Sequence, residues 1–287
     1  MAIGNHKHGG EIARLSLSVY LELMTVLGAY REALVLVGGW APYFILERFG
    51  REGADFQHIG SVDIDIAVNP RLVSPDEYAS IVERLERQGY RQRLNRLGQP
   101  IPFIFEREVE LGEGRGTRVI EVDFLASEYG GTGKRQRHQR IQPDLLARKA
   151  RGCDVVFDHC FEHELTGILP NGAENTVRVK ITDLVGCLTT KGIVLGERYH
   201  EKDAYDIYAV ITYYKGGPKG AAREIRPHLG NSLVREGIAN IAEKFQSIRS
   251  VGPAGVGHFL ASDSAERDRF VADAFVNVSE FIKALEE

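Results

Sequence analysis

The segment 61–68, SVDIDIAV, alternates apolar and acidic residues with a period of two. Successive side chains of a β-strand point to opposite faces of a sheet, so this period predicts a strand. One face then carries four apolar side chains into the core: Val62, Ile64, Ile66 and Val68. Asp63 and Asp65 share the other face, about 6–7 Å apart along the strand. A carboxylate is costly to bury unless it is paired or bound to metal. The segment therefore requires a sheet with one apolar face and one face that is solvated or binds a cation.

A second acidic segment, residues 117–126, also alternates like a strand, and its Asp123 falls on the polar face. If this strand lies beside residues 61–68, Asp123 reaches the same place as the two aspartates. Three carboxylates on neighbouring strands suit two divalent ions about 3.5–4 Å apart. Sites made only of oxygen ligands favour Mg²⁺, usually completed by substrate phosphates. The alternative is that these aspartates lie on a solvated sheet face.

Gly38 and Gly39 end a short apolar strand over 33–39 and precede a predicted helix. Glycines allow backbone N–H groups to approach a phosphate closely at the positive end of a helix dipole. Ser61 shares the face of Asp63 and offers a hydroxyl to the same phosphate. A simple turn or helix cap, and an ordinary serine at the start of a strand, are the alternatives.

Apolar periodicity and turn residues predict an α+β fold. The predicted helices cover 11–31, 40–50, 75–88, 182–195, 198–215, 231–248 and 264–286, and the further strands 101–109, 153–165 and 175–181. A small mixed sheet flanked by helices is expected in a domain of residues 1–165. A mainly helical domain of residues 166–287 follows, punctuated by Gly-Gly-Pro at 216–218 and Val-Gly-Pro at 251–253.

The helical half contains a charged cluster. Lys191 falls on an apolar stripe of its helix, where a lysine either extends to the surface or points into a site. In the next helix Lys202, Asp203 and Asp206 share one face, because residues three and four apart are neighbours. A solvated helix with a surface ion pair is the alternative, and such a pair contributes little stability.

The whole-chain composition limits the possible partners. No apolar run approaches the roughly 18–20 residues that span a bilayer, so no membrane is expected. Three cysteines without paired spacing favour a reducing, cytoplasmic location. The formal net charge is −4, but residues 134–151 hold seven basic residues and one acid. This stretch is interpreted either as an RNA-binding patch or as a solvated loop and helix.

Taken together, the Gly-Gly turn, the Asp-x-Asp strand and the lone aspartate of a later strand resemble the polymerase-β-type nucleotidyltransferase superfamily. The resemblance implies that Asp63, Asp65 and Asp123 bind two Mg²⁺ ions. It also implies that Gly38 and Gly39 hold a nucleoside triphosphate. This chain departs from the family in the segment between the glycines and the first aspartate, which is longer than usual. Residues 50–60 look like an inserted loop.

The charged cluster resembles the KDxxD element of the abortive-infection toxin AbiEii group within that superfamily. By this resemblance Lys191 contacts nucleotide phosphates, and Lys202, Asp203 and Asp206 line or shape the nucleotide site. The implied activity is transfer of a nucleoside monophosphate from a triphosphate to an acceptor hydroxyl, with a tRNA 3′ end preferred. The implied role is that of a toxin restrained by an antitoxin protein, or of a phage-defence protein.

Two alternatives remain open from the sequence. The acceptor is a small molecule, as in aminoglycoside nucleotidyltransferases, or a protein side chain. Alternatively the chain is a non-catalytic nucleotide-binding module. Such a module would typically have lost a carboxylate, and all three are present here.

Overall fold

The structure is a computed structural model that describes residues 4–73, 80–111, 116–128 and 137–287, with side chains from residue 10 onward. The chain separates into two compact units. The first unit contains residues 3–40 and 59–181, and the second contains 41–58 and 182–287. The later strands belong to the first unit's sheet, so this division falls C-terminal to the expected boundary at residue 165.

The chain forms a mixed α+β structure. The helices are α1 (Gly4–Val26), α2 (Ala41–Phe49), α3 (Ile81–Arg87), α4 (Cys153–Val156), α5 (Leu184–Glu197), α6 (Glu201–Tyr213), α7 (Gly217–Ile225), α8 (Ser232–Lys244), α9 (Val251–Leu260) and α10 (Ser264–Glu286). The strands are β1 (Leu34–Val37), β2 (Ile64–Val68), β3 (Arg91–Leu94), β4 (Pro100–Glu110), β5 (Thr117–Ala126), β6 (His138–Arg140), β7 (Leu146–Lys149), β8 (Cys160–Ile168) and β9 (Glu174–Thr182). Every strand, with α1, α3 and α4, falls in the first unit.

The described strands form one mixed sheet in the order β3-β4-β5-β2-β1-β9-β8. The β1–β2 pair is antiparallel, whereas β2 runs parallel to β5. Along one side of β5, antiparallel β4 pairs as far as Ile104 opposite Asp123. Parallel β7 then takes over at Leu125 opposite Arg148. Asp123 therefore lies where β5 changes its pairing partner.

The prediction of a strand over 61–68 is wrong at its first residues. Strand β2 begins at Ile64, and Val62 is 43% exposed instead of entering the core. The physical reason is pairing. Strand β1 ends at Val37, opposite Asp65, and a 3₁₀ turn begins at Gly38, so no β1 residue lies opposite 61–63. Asp63 consequently sits in an exposed bend before the strand.

The same region is fixed by tight packing around Trp40. The indole N–H of Trp40 donates a hydrogen bond to the Ser16 hydroxyl at 3.0 Å. Gly60 has a φ of +77°, and a Cβ atom placed there would lie 2.7 Å from the Trp40 ring. Only glycine suits this position, and it holds the segment that leads into Asp63 against the first unit's core.

Other predictions differ in detail. The predicted strand 153–165 begins with helix α4, and β8 starts only at Cys160. The predicted helix 75–88 is described from its cap: the Ser80 hydroxyl accepts a hydrogen bond from the Glu83 amide, and Glu83 completes a capping box. Its expected start at Pro75 lies outside the described residues.

Both Gly-Pro segments that were interpreted as interruptions begin helices instead. Pro218 lies in the first turn of α7 and Pro253 in the first turn of α9. Proline lacks an N–H, but the first N–H groups of a helix have no intrahelical acceptor, so the first turn tolerates it. The second unit therefore contains more helix than the sequence predicted.

The second unit is made of α2 and α5–α10. Helices α5 and α8 approach closely because each contributes a glycine to the crossing. A Cβ on Gly192 would overlap the Gly237 carbonyl, and one on Gly237 would lie 2.7 Å from the Thr189 carbonyl oxygen. No helix among the described residues combines the length and the apolar character needed to cross a membrane.

Candidate active site

The two acidic strands of the first unit are neighbours, and their aspartates are in register. In the parallel pair β2–β5, Asp65 lies directly opposite Asp123. Neighbouring strands are about 4.8 Å apart, and residues directly opposite share a face. The two carboxylates therefore lie side by side, which meets the condition set by the sequence for a shared site.

Gly38 makes room for one of these carboxylates. Its backbone φ is +66°, and a Cβ atom at this position would overlap the Asp65 carboxylate. The glycine is required twice, once by the left-handed backbone and once by the close approach. Gly39 follows in the same 3₁₀ turn and is buried. The sequence assigned this turn to phosphate binding, and the structure adds that Gly38 accommodates Asp65.

Asp123 is the more buried member of the pair, with 18% of its side chain exposed. Arg148 donates to its Oδ2 atom from Nη2 at 2.6 Å and from Nε at 3.2 Å. Oδ1 is buried and accepts no hydrogen bond from any described residue. Burial raises the pKa of Asp123 to about 6, against the opposing effect of Arg148 and with a further increase from Asp65.

Part of the face that carries the aspartates is apolar. Val35, Val37, Ala67 and Leu125 form a small core there with Val156 and Cys153 of α4. Burial raises the pKa of the Cys153 thiol to about 12, so it stays protonated and packs as an apolar group. The carboxylate pair thus adjoins an apolar cluster on one side.

Asp63 and Ser61 are placed differently from Asp65. Both precede β2; Asp63 is exposed and Ser61 is half-buried. No group of three His, Cys, Asp or Glu residues within the described part of the chain is arranged to hold a metal ion. The donor set of Asp65 and Asp123 nevertheless fits a hard cation such as Mg²⁺. Both supply carboxylate oxygens, and Oδ1 of Asp123 has no hydrogen-bonding partner among the residues that the structure describes.

The lysine cluster of the second unit is buried, and the interpretation of it as a surface ion pair is wrong. The Lys191 ammonium lies 2.8 Å from Asp203 and 2.6 Å from Asp206. Lys202 lies 2.9 Å from the Asp206 carboxylate, which is fully buried. Two positive and two negative charges therefore balance in the interior, and each has a hydrogen-bonding partner.

His58 completes this cluster, and no motif in the sequence pointed to it. Its Nε2 lies 3.1 Å from Asp206, and both side chains are buried. Burial lowers the pKa of His58, although Asp206 opposes this. Burial alone would raise the pKa of Asp206, but Lys191 and Lys202 outweigh it and hold that pKa far below its usual range. The cluster therefore contains a neutral imidazole beside an ionised carboxylate.

The basic stretch forms the strands β6 and β7 where it is described, and 134–136 lie outside the described residues. Arg148 pairs with Asp123, and Arg151 pairs with Glu128 at 3.1 Å. Arg137 and Arg140 are exposed. The rings of Phe103 and His138 stack beside them, with centroids 4.9 Å apart. The described part of the stretch thus forms a β-hairpin with an aromatic pair beside it, so the alternative of a loop and helix is wrong in its secondary structure.

Comparisons with protein-family models, with curated proteins and with solved structures returned no match.

Proposed function

We propose that the chain is a metal-dependent nucleotidyltransferase whose centre is the Asp65–Asp123 pair. The observation that carries the proposal is the register of these two aspartates, with Gly38 leaving space for the Asp65 carboxylate. Two like charges held side by side repel each other, and a divalent cation between them relieves that repulsion.

The carboxylate oxygens of Asp65 and Asp123 would hold a magnesium ion. Bound there, the ion supplies Lewis-acid polarisation of the α-phosphate and offsets the charge of the leaving pyrophosphate. The proposal of a second ion rests on Asp63, which lies in the exposed bend before β2. The register of β2 and β5 supports the Asp65–Asp123 half of the two-ion site.

The remaining steps fall to this chain's own groups. Asp123 helps to activate the acceptor hydroxyl by accepting its proton. The hydroxyl oxygen forms a bond to the α-phosphorus, and the bond from that phosphorus to the bridging oxygen breaks, releasing pyrophosphate. The backbone N–H groups of Gly38 and Gly39 and the Ser61 hydroxyl bind phosphate oxygens.

Lys191 has a different role in this proposal from the direct phosphate contact implied by resemblance. Its ammonium is held by two buried carboxylates, and moving it to a phosphate would leave Asp203 and Asp206 undercompensated. In this proposal the charged cluster holds α5 and α6 together and acts by positioning them. Its members are Lys191, Lys202, Asp203 and Asp206.

RNA is the proposed acceptor, with a tRNA 3′ end preferred. The exposed Arg137 and Arg140 supply phosphate contacts, and the stacked Phe103 and His138 rings supply an aromatic surface for an unpaired base. A cationic small molecule would instead require an acidic surface. In the cell, such an enzyme would act as an AbiEii-like toxin restrained by an antitoxin protein.

Label transfer tests this proposal. The protein is incubated with Mg²⁺, total RNA and each of the four α-labelled triphosphates, and the label is followed into RNA and into protein. We expect transfer to RNA by wild type, loss in Asp65→Asn, and retention in Glu121→Gln, which removes another β5 carboxylate paired with Arg93. No transfer by wild type, or equal transfer by Asp65→Asn, would overturn the proposal.

A non-catalytic nucleotide-binding module is the second candidate. The observation in its favour is that Arg148 already neutralises Asp123 while Asp63 stays outside the strand. The same experiment separates the two functions, because a binding module retains a labelled triphosphate on a filter without transferring its label.

A further inference from the structure

Arg148 forms an ion pair with Asp123, one of the two carboxylates that would bind the proposed metal ion. Its guanidinium approaches from β7, at the point where that strand replaces β4 beside β5. In the parallel pairing Arg148 lies opposite Leu125, two residues from Asp123 and on the same face. Both hydrogen bonds from Arg148 reach one oxygen, Oδ2, so the guanidinium approaches the carboxylate from one side.

This ion pair leaves both partners able to bind something else. The Arg148 side chain is 44% exposed. Asp123 keeps a buried Oδ1 that accepts no hydrogen bond from the described residues.

We propose that Arg148 is an internal counter-ion that competes with a divalent cation for Asp123 and, once displaced, binds a phosphate of the substrate. The inference rests on the proposed function. A divalent ion between Asp65 and Asp123 carries twice the charge of Arg148 and repels it. Once released from Asp123, the planar guanidinium of Arg148 can donate two parallel N–H hydrogen bonds to phosphate oxygens.

Two consequences follow for binding. Without substrate, Arg148 weakens the affinity for the metal ion, because the ion must first break the ion pair. With a polyphosphate present, the displaced guanidinium gains a new partner, so metal and polyphosphate strengthen each other's binding by the same factor. The ion pair thus offsets one of the two negative charges of the empty site and links metal binding to substrate binding.

Mn²⁺ titration followed by calorimetry tests the first consequence. A partly exposed ion pair contributes about 1 kcal/mol, so Arg148→Gln should bind Mn²⁺ about fivefold more tightly than wild type. Arg148→Lys keeps the charge and should bind like wild type, which also guards against a folding defect in the glutamine variant. Arg118→Gln is the matched control, since it removes one exposed positive charge from the same strand as Asp123.

The second consequence is tested with inorganic tripolyphosphate in saturating Mg²⁺. Its affinity should fall several-fold in Arg148→Gln and stay unchanged in Arg118→Gln. If Arg148→Gln binds Mn²⁺ no better than wild type, or binds tripolyphosphate equally well, the inference is overturned. In that case the proposed function stands as long as wild type binds Mn²⁺ and Asp65→Asn does not. If neither wild type nor any variant binds Mn²⁺, the inference about Arg148 and the proposed function are both overturned.

Discussion

Asp65 and Asp123 lie directly opposite each other on parallel strands, and Gly38 leaves the space that the Asp65 carboxylate fills. Burial and the repulsion between the two carboxylates are only partly offset by Arg148. The pair is therefore unfavourable in the absence of a divalent cation. The arrangement therefore costs stability in the free protein and is available for binding a cation. Stability and metal binding should respond in opposite directions when one of the two carboxylates is removed.

Asp123→Asn should stabilise the metal-free protein at neutral pH. Asp123 has its pKa raised from 3.8 to about 6 in the folded state. Between these values the folded state binds more protons, so this group's stabilising contribution is complete below pH 3.8 and is lost as pH rises through 6. Asparagine does not titrate, and the gain at pH 7.5 should be about 3 kcal/mol. Urea unfolding in EDTA measures it.

The pH dependence of that difference serves as its control. The two proteins should converge in free energy of unfolding as the pH approaches about 4, because Asp123 is then protonated in wild type. A variant that is less stable than wild type at neutral pH would mean that the Arg148 ion pair outweighs the cost of burial.

Gly38→Ala should damage both stability and metal binding. Alanine at a φ of +66° costs about 1–2 kcal/mol, and its methyl group would also displace the Asp65 carboxylate. Gly98→Ala is the matched control, since Gly98 has a φ of +73° and a Cβ atom added there would meet nothing within 4 Å. Equal losses in both variants, measured by urea unfolding and Mn²⁺ titration, would contradict the close approach at Gly38.

Asp206→Asn should destabilise the second unit by about 3–5 kcal/mol, because it removes the acceptor shared by Lys191, Lys202 and His58. Lys219→Gln is the control, since Lys219 forms an exposed ion pair of 3.8 Å with Glu280 and should change stability little. Differential scanning calorimetry measures both. A small effect of Asp206→Asn would indicate that the cluster is solvated in solution.

His58 should make stability fall in mild acid. Its pKa is lowered in the folded state, so the unfolded chain binds more protons at acidic pH. The stability associated with neutral His58 is fully present above the ordinary pKa of about 6.5. It is lost as the pH falls from that value through the lower pKa of the folded state. His58→Gln should therefore show a flatter stability profile than wild type between neutral pH and about pH 5. Parallel profiles would contradict the burial of a neutral imidazole.

Local structure was easier to predict from the sequence than the contacts between distant residues. Alternation in the residues of β2 and β5 predicted both strands and the shared face of Asp65 and Asp123. Val62 follows the same pattern, yet it is exposed because β1 ends before it could pair. A strand pattern contains no information about where the partner strand stops.

Arg148 and His58 were missed for a related reason. Arg148 stood out only as part of a basic stretch, because its link to Asp123 depends on the pairing of the short strand β7. His58 lies 148 positions from Asp206 in sequence. Contacts of this kind come from tertiary packing, and residue spacing along one helix or strand does not reveal them. Lys202, Asp203 and Asp206 were predicted to share one face of a helix, but the contacts of Lys191 with these aspartates were not predicted.

The proposed function requires that the Asp65–Asp123 pair supports nucleotidyl transfer. The most direct measurement compares triphosphates labelled at the α- or the γ-phosphorus in parallel reactions with Mg²⁺ and RNA, using wild type and Asp65→Asn. We predict that wild type leaves the α-label on RNA and releases the γ-label as pyrophosphate, and that Asp65→Asn does neither. Release of the γ-label as inorganic phosphate, or an α-label transferred equally by Asp65→Asn, would contradict the claim.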